Sequence, residues 1–306
     1  MVKTKRSRRI CLKGEVDVES SSRKTGIQLL SYQELPDWQK ENEFIHHGYR
    51  PEFKSTRACF DSLYYMHNET LSIYTHLVPA ILTIAVEGFF FQYLDKHYPR
   101  ATQSDYLIFA IWILTAVTCC LISSIYHTMV CHSENMAHLW LKADFIGIMV
   151  LMVGDFVSGI YLVFYCEPHL RAIYWSMILT LGALCCFILL NPKFHGPKYR
   201  NLRIFAFVGT GLSGFAPLIH GSVMFGIEKM MKQSGMPYYI FEGFLLLTGT
   251  VFYGTRFPES KWPGKFDIWF SSHQIFHVFV VLATAVHWLG ITLAYDYNYT
   301  HRQCRV

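Results

Sequence analysis

The sequence predicts an all-α membrane protein: seven transmembrane helices, preceded by a short N-terminal amphipathic helix at the membrane surface. Hydrophobic residues fill 52% of the 306 positions and charged ones only 16%, against about 25% charged in a soluble domain. Apolar segments recur from Leu71 onward, and four of them carry no Asp, Glu, Lys or Arg. Each is long enough to cross a hydrocarbon core of about 30 Å at about 1.5 Å per residue. This excludes a disordered chain, a fibrous repeat and a small disulfide-stapled module, and it argues strongly against a soluble enzyme. The net charge of +5 sits largely in the first 60 residues. It describes a tail, so no nucleic-acid partner is expected.

Residues 1–30 read as a disordered basic cytosolic tail that includes Lys3, Arg6, Arg9 and Lys24. No apolar stretch follows within them, so they are not read as a secretory signal peptide. Residues 31–70 form a cytosolic and interfacial segment. It ends in Cys59–Thr70, where Phe60, Leu63, Tyr64 and His67 stand at helical spacing, the pattern of a helix lying along the inner surface. Residues 71–296 hold the spans: Leu71–Leu94, Tyr106–Tyr126, Phe145–Tyr165, Ala172–Leu190, Ile204–Ile227, Tyr238–Thr255 and Ile268–Tyr295. Three of them enclose a carboxylate, namely Glu87, Asp155 and Glu242. Pro79 interrupts the first span, and Pro217 with Gly209, Gly211 and Gly214 the fifth, which a bundle interior tolerates. Residues 297–306 are a short extracytosolic tail. The nine cysteines include the adjacent pairs Cys119–Cys120 and Cys185–Cys186 inside apolar runs. Neighbours on a helix cannot face one partner, so most read as small apolar fillers.

Basic residues orient the chain. With the N-terminus cytosolic, twelve of the 27 lie before residue 60 and eight more in the inner loops, leaving seven outside. The C-terminus is then extracytosolic, and the host is the plasma membrane or the endoplasmic reticulum. Of the two glycosylation sequons, Asn68-Glu69-Thr70 is cytosolic in this orientation and stays bare. Asn298-Tyr299-Thr300 faces out but hugs the membrane.

Polar residues inside spans are costly and mark candidate sites. His273 and His277 stand four apart on one helical face, a bidentate metal geometry. Two buried histidines bonded to their neighbours would show the same spacing. The topology adds weight to the metal. Span two ends at Ser123-Ser124-Ile125-Tyr126-His127, span three starts near Lys142-Ala143-Asp144, and span seven enters from the same side. His127, Asp144, His273 and His277 therefore share one membrane depth near the inner leaflet. Three neutral imidazoles leave zinc an open fourth position, as catalytic sites do, and the bound water would titrate near roughly pH 7. Asp144 reads as a fourth ligand or a general base. Ser123, one turn before His127, reads as a water-orienting or oxyanion donor, or as a hydroxyl bonded back to its own helix. Cys131 and His132 fall in the inner loop, with His132 on the surface. Asp155 lies about three turns past Asp144, roughly 16 Å deeper. Glu87, His220, Glu242 and His287 have no assignable partner.

Several of these segments carry a resemblance. Leu35-Pro36-Asp37-Trp38, Gly48-Tyr49-Arg50-Pro51, Arg57-Ala58-Cys59-Phe60 and His67-Asn68-Glu69-Thr70 closely resemble the adiponectin-receptor branch of the progestin and adipoQ receptor family, which is related to haemolysin III. So do Ser123-x3-His127, Asp144-Phe145 and the run from Phe266 to Val278. The match spans roughly residues 32 to 290, with the flavour of the fungal branch. One departure is Leu71-Ser72-Ile73-Tyr74-Thr75-His76, where relatives usually carry Asn before the Ile-x-Thr-His. The resemblance implies seven helices, an inside N-terminus and zinc on His127, His273 and His277. It also implies that Asp144 reaches the metal through water, and that the cavity admits a ceramide-like lipid or a fatty acid. It further implies ceramidase-like amide hydrolysis, ligand reception, or a link to lipid metabolism and zinc homeostasis. An extracellular ligand is left unidentified, and hormone binding does not carry over. The main alternative is a non-enzymatic receptor with structural zinc. A zinc transporter stands behind it, and a G-protein-coupled receptor is disfavoured because no Asp-Arg-Tyr ends span three.

Overall fold

The computed structural model describes residues 28–194, 197–301 and 304. The basic tail expected over 1–30 therefore lies, up to residue 27, outside the described residues. The described chain is helical, with one isolated bridge between Leu30 and Tyr49 and no longer strand. The α-helices, in chain order, are α1 (Thr56–Asp61), α2 (Thr70–His97), α3 (Gln103–Met129), α4 (Glu134–Val163), α5 (Pro168–Leu190), α6 (Arg200–Leu212), α7 (Phe215–Phe225), α8 (Ile227–Gln233), α9 (Met236–Thr255) and α10 (Ser272–His301).

Among the described residues, six helices are long and apolar enough to cross a membrane, with α6 and α7 together making one of them. That span breaks at Ser213–Gly214, among the glycines that mark it in the sequence. The sixth expected span is the 20-residue helix α9, which falls outside the six. Glu242 and the tyrosines Tyr238, Tyr239 and Tyr253 dilute its apolar character. The seventh expected span starts late: residues 268–271 are not helical, and α10 runs on to His301. The expected surface helix is displaced as well. α1 ends at Asp61, and a short 3-10 turn follows over Ser62–Tyr64. Phe60 and Tyr64 are exposed, but His67 turns inward and is buried. The chain leaves helical geometry between them, so the four residues do not form one stripe.

The core lies where α3, α4 and α10 meet, around Phe109, Trp112, Leu151, Tyr161, Ile291 and Tyr295. Leu82, Phe89, Leu179, Phe205, Val223 and Val251 point outward and are exposed. An apolar girdle round a packed, partly polar interior is what lipid as solvent requires. α3 starts with a reciprocal cap, Asp105 accepting from Thr102 N and Oγ1 at 2.7 and 2.8 Å while its own N–H returns to Thr102. α4 then lies close along α3. A Cβ on Gly154 would stand 1.9 Å from Thr115 Oγ1, so only glycine permits this approach. α9 and α10 pack as closely: Gly235, at φ 71°, leads into α9 with its missing Cβ 2.7 Å from the Gly290 carbonyl oxygen.

Residues 28–55 fold back over one end of the bundle. Phe53 and Lys54 donate their N–H groups to the Cys131 and His132 carbonyls at 3.0 and 2.9 Å. Asp267 accepts from the His46 and His47 N–H groups at 2.9 and 3.0 Å. Cys131, expected in water, is buried beneath this cover.

Candidate metal centre

The last two turns of α3 deliver Ser123 and His127, both buried. Its terminal carbonyls need partners, and the helix dipole favours a cation there. Buried Arg50 meets both needs. It donates to the His127 carbonyl at 2.6 Å and to the Thr128 carbonyl at 3.1 Å, and it is held by Ser62 Oγ at 2.7 Å. The N-terminus of α10 has the opposite demand. Buried Glu259 accepts from Ser272 N at 2.8 Å and from its hydroxyl, which fixes the first turn on which His273 stands.

His127, His273 and His277 then converge, with one ring nitrogen of each within 4.8 Å of the others. His127 Nε2 and His273 Nε2 lie 3.2 Å apart. Outer hydrogen bonds orient the rings. Glu69 Oε2 lies 2.7 Å from His127 Nδ1, which puts that ring's proton on Nδ1 and turns the Nε2 lone pair inward. His277 Nδ1 lies 3.1 Å from the Ser72 carbonyl and 3.2 Å from Thr75 Oγ1, which leaves its Nε2 equally free. Burial alone would push the Glu69 carboxyl up, but the hydrogen bond and charge of His127 prevail and hold it down at about 2.

These residues fit zinc. A tetrahedral centre about 2.05 Å from each imidazole nitrogen sets neighbouring nitrogens about 3.4 Å apart, close to the spacing of His127 and His273. Two lone pairs facing each other at that distance also call for a proton or a cation between them. The carboxylate–histidine pair of Glu69 and His127 is the usual outer support of such a ligand.

Asp144 is buried on α4, with the buried Ser123 hydroxyl near its carboxyl. It stands outside the group of three nitrogens, facing the same cavity of about 1180 Å³. The structure therefore gathers the three expected histidines and sets Asp144 with Ser123 beside them. Sequence reasoning missed three supports: Glu69, Arg50 and His76. The first two lie in the motifs that carry the family resemblance. His76 stacks on the His277 ring, centroids 3.9 Å apart, and its nitrogens have no partner among the described residues. Three of the residues with no assignable partner find one. His287 pairs with Glu242 and Asp155 deeper in the cavity, and His220 meets Tyr174 Oη at 3.0 Å. Asn298 is a buried amide donating to the Gln233 carbonyl at 2.6 Å, so its sequon offers no surface for a sugar.

An all-helical membrane bundle with a histidine cluster at one end defines the class. The haemolysin-III related family model matches residues 64–288, and the chain belongs to that family. It is similar to the adiponectin receptor protein of Drosophila melanogaster, 38% identical over 90% of this chain and 61% of that one. It is also similar to progestin and adipoQ receptor-like protein 1 of Caenorhabditis elegans, 36% identical over 91% and 66%. The ADIPOR-like receptor IZH2 of Saccharomyces cerevisiae is 35% identical, over 90% and 87%. The chain thus spans less than two thirds of the fly and nematode proteins.

Proposed function

We propose that the chain is a zinc-containing, adiponectin receptor-like membrane protein that hydrolyses the amide bond of ceramide-like lipids. One observation carries the reading: three inward-facing imidazoles share a large cavity with a buried carboxylate–hydroxyl pair. Zinc held by His127, His273 and His277 supplies Lewis acidity and an acidified water. Asp144 takes a proton from the water as its oxygen adds to the amide carbon. It then returns that proton to the nitrogen as the C–N bond breaks, releasing a fatty acid and a sphingoid amine. Ser123 holds the Asp144 carboxylate until it is protonated, and is then free to donate to the oxyanion. Glu69 and the Ser72 carbonyl keep two imidazoles in the ligating tautomer. Arg200, Arg203 and Arg256 line the inner mouth of the cavity and suit an anionic product. The second reading, a receptor in which the metal is structural, draws support from the way the triad ties the end of α3 to the start of α10.

The reading includes seven spans, with α9 as the sixth, the N-terminus cytosolic and the C-terminus outside. Cys166 and Cys304 form a disulfide at one end of the bundle, whereas Cys59 and Cys131 stay unbridged at the other with their sulfurs 3.8 Å apart. Disulfides persist in oxidising compartments, which favours placing the Cys166 end outside.

The test is fatty-acid release from ceramides by purified, zinc-loaded protein, wild type beside His273→Ala. Release by the wild type alone supports the reading. No release from any ceramide, while an active relative works under the same conditions, removes it.

A further inference from the structure

About ten residues past the inner triad, roughly 15 Å along α10, the same cavity holds a second cluster: His287, Glu242 and Asp155. Each comes from a different helix, and one ligand atom of each lies within 4.8 Å of the others. His287 Nδ1 is 2.8 Å from Glu242 Oε2 and 3.8 Å from Asp155 Oδ1. These distances bracket the about 3.4 Å expected between neighbouring ligands of a tetrahedral metal.

The hydrogen bonds around the cluster allow its lone pairs to face inward. Ser158 Oγ donates its one proton to the Gly154 carbonyl at 2.9 Å. His287 Nε2 lies 2.9 Å from the same oxygen, and it is the donor in that contact whenever the serine proton stays on the helix carbonyl. That tautomer carries its proton on Nε2 and turns the Nδ1 lone pair towards the two carboxylates, the state in which the ring can ligate a metal. Trp112 Nε1 donates to Asp155 Oδ1 at 2.9 Å and orients it. The Tyr239 hydroxyl is buried with no partner among the described residues, and its ring lies 5.3 Å from that of His287. Two carboxylates facing one imidazole nitrogen in an apolar bundle call for a proton or a metal cation between them.

We propose that His287, Glu242 and Asp155 form a second divalent-metal site, of the zinc type that imidazole and carboxylate ligands accept. It is separate from the inner triad and does not depend on the hydrolase reading.

The experiment strips the detergent-purified full chain with a chelator, reloads it with zinc, desalts it and counts metal by elemental analysis. The wild type is expected to hold about two zinc ions per chain. Glu242→Gln and His273→Ala should each hold about one, and the double variant none. Should Glu242→Gln aggregate, Asp155→Asn takes its place. A wild-type count of one that drops to zero in His273→Ala overturns the second site and leaves the first. A count that Glu242→Gln and Asp155→Asn leave unchanged overturns it equally. A wild type with no metal overturns both.

Discussion

The histidine triad at the end of the bundle and the cluster around His287 share one cavity but are supported in different ways. The triad stands at helix ends, where loops reach it. Glu69 orients His127, Arg50 caps the turn that carries it, and Glu259 fixes the turn that carries His273. The deeper cluster stands mid-helix, where backbone groups are already paired. Its supports are side chains of neighbouring helices, Trp112 and Ser158. Helix ends leave orphan groups that a folded-back segment can meet, so the triad is adjustable through loops. The deeper one moves only if the helices do.

The largest expected effect separates chemistry from scaffolding at the triad. Asp144→Asn keeps the shape of the side chain but removes the proton acceptor. Ceramide hydrolysis should fall by on the order of 10²–10⁴-fold, while zinc content and melting temperature stay near wild type. If hydrolysis survives with zinc bound, Asp144 has no role in the reaction. If the wild type binds zinc and hydrolyses nothing, the structural-metal receptor stands.

Next comes the outer hydrogen bond. Glu69→Ala should weaken zinc at the triad by about 10–100-fold, read in a chelator competition, and leave metal at the deeper cluster unchanged. An equal loss at both would mean that the two clusters are coupled through the fold. Unchanged affinity at the triad would mean that His127 needs no help from Glu69.

The same contrast governs what the sequence could reveal. The helices were legible from runs of apolar residues, and the triad from one i, i+4 pair together with span ends that topology sets at one depth. The deeper cluster was not. Asp155, Glu242 and His287 come one from each helix, and only the rotation of those helices about their axes decides whether they meet. Hydropathy reports which residues sit in a span and says little of which way they face. Glu69 was illegible for another reason. It precedes α2 in a loop, and its reach to His127 depends on how residues 65–69 turn, which no periodicity encodes. The surface helix was misplaced because Phe60, Leu63, Tyr64 and His67 match a helical spacing that the chain abandons after Asp61.

The smallest predicted effect probes how rigidly the deeper cluster is held. Gly154 lies against Thr115 of α3, beside Asp155 and one turn before Ser158. Gly154→Ala forces a methyl group to within 1.9 Å of Thr115 Oγ1, so α4 must shift from α3 or Thr115 must give way. The cost should be about 1–3 kcal/mol, seen as a lower melting temperature in detergent. The displacement acts on Asp155, whose bond to Trp112 spans that seam, while Glu69 and Arg50 beside the triad are untouched. Metal at the deeper cluster should therefore be lost before metal at the triad. Gly88→Ala is the control: nothing lies within 4 Å of its added methyl group, and helix propensity predicts a gain of up to about 1 kcal/mol. If both substitutions behave alike, the α3–α4 seam is softer than its contacts imply, and the deeper cluster is as adjustable as the triad.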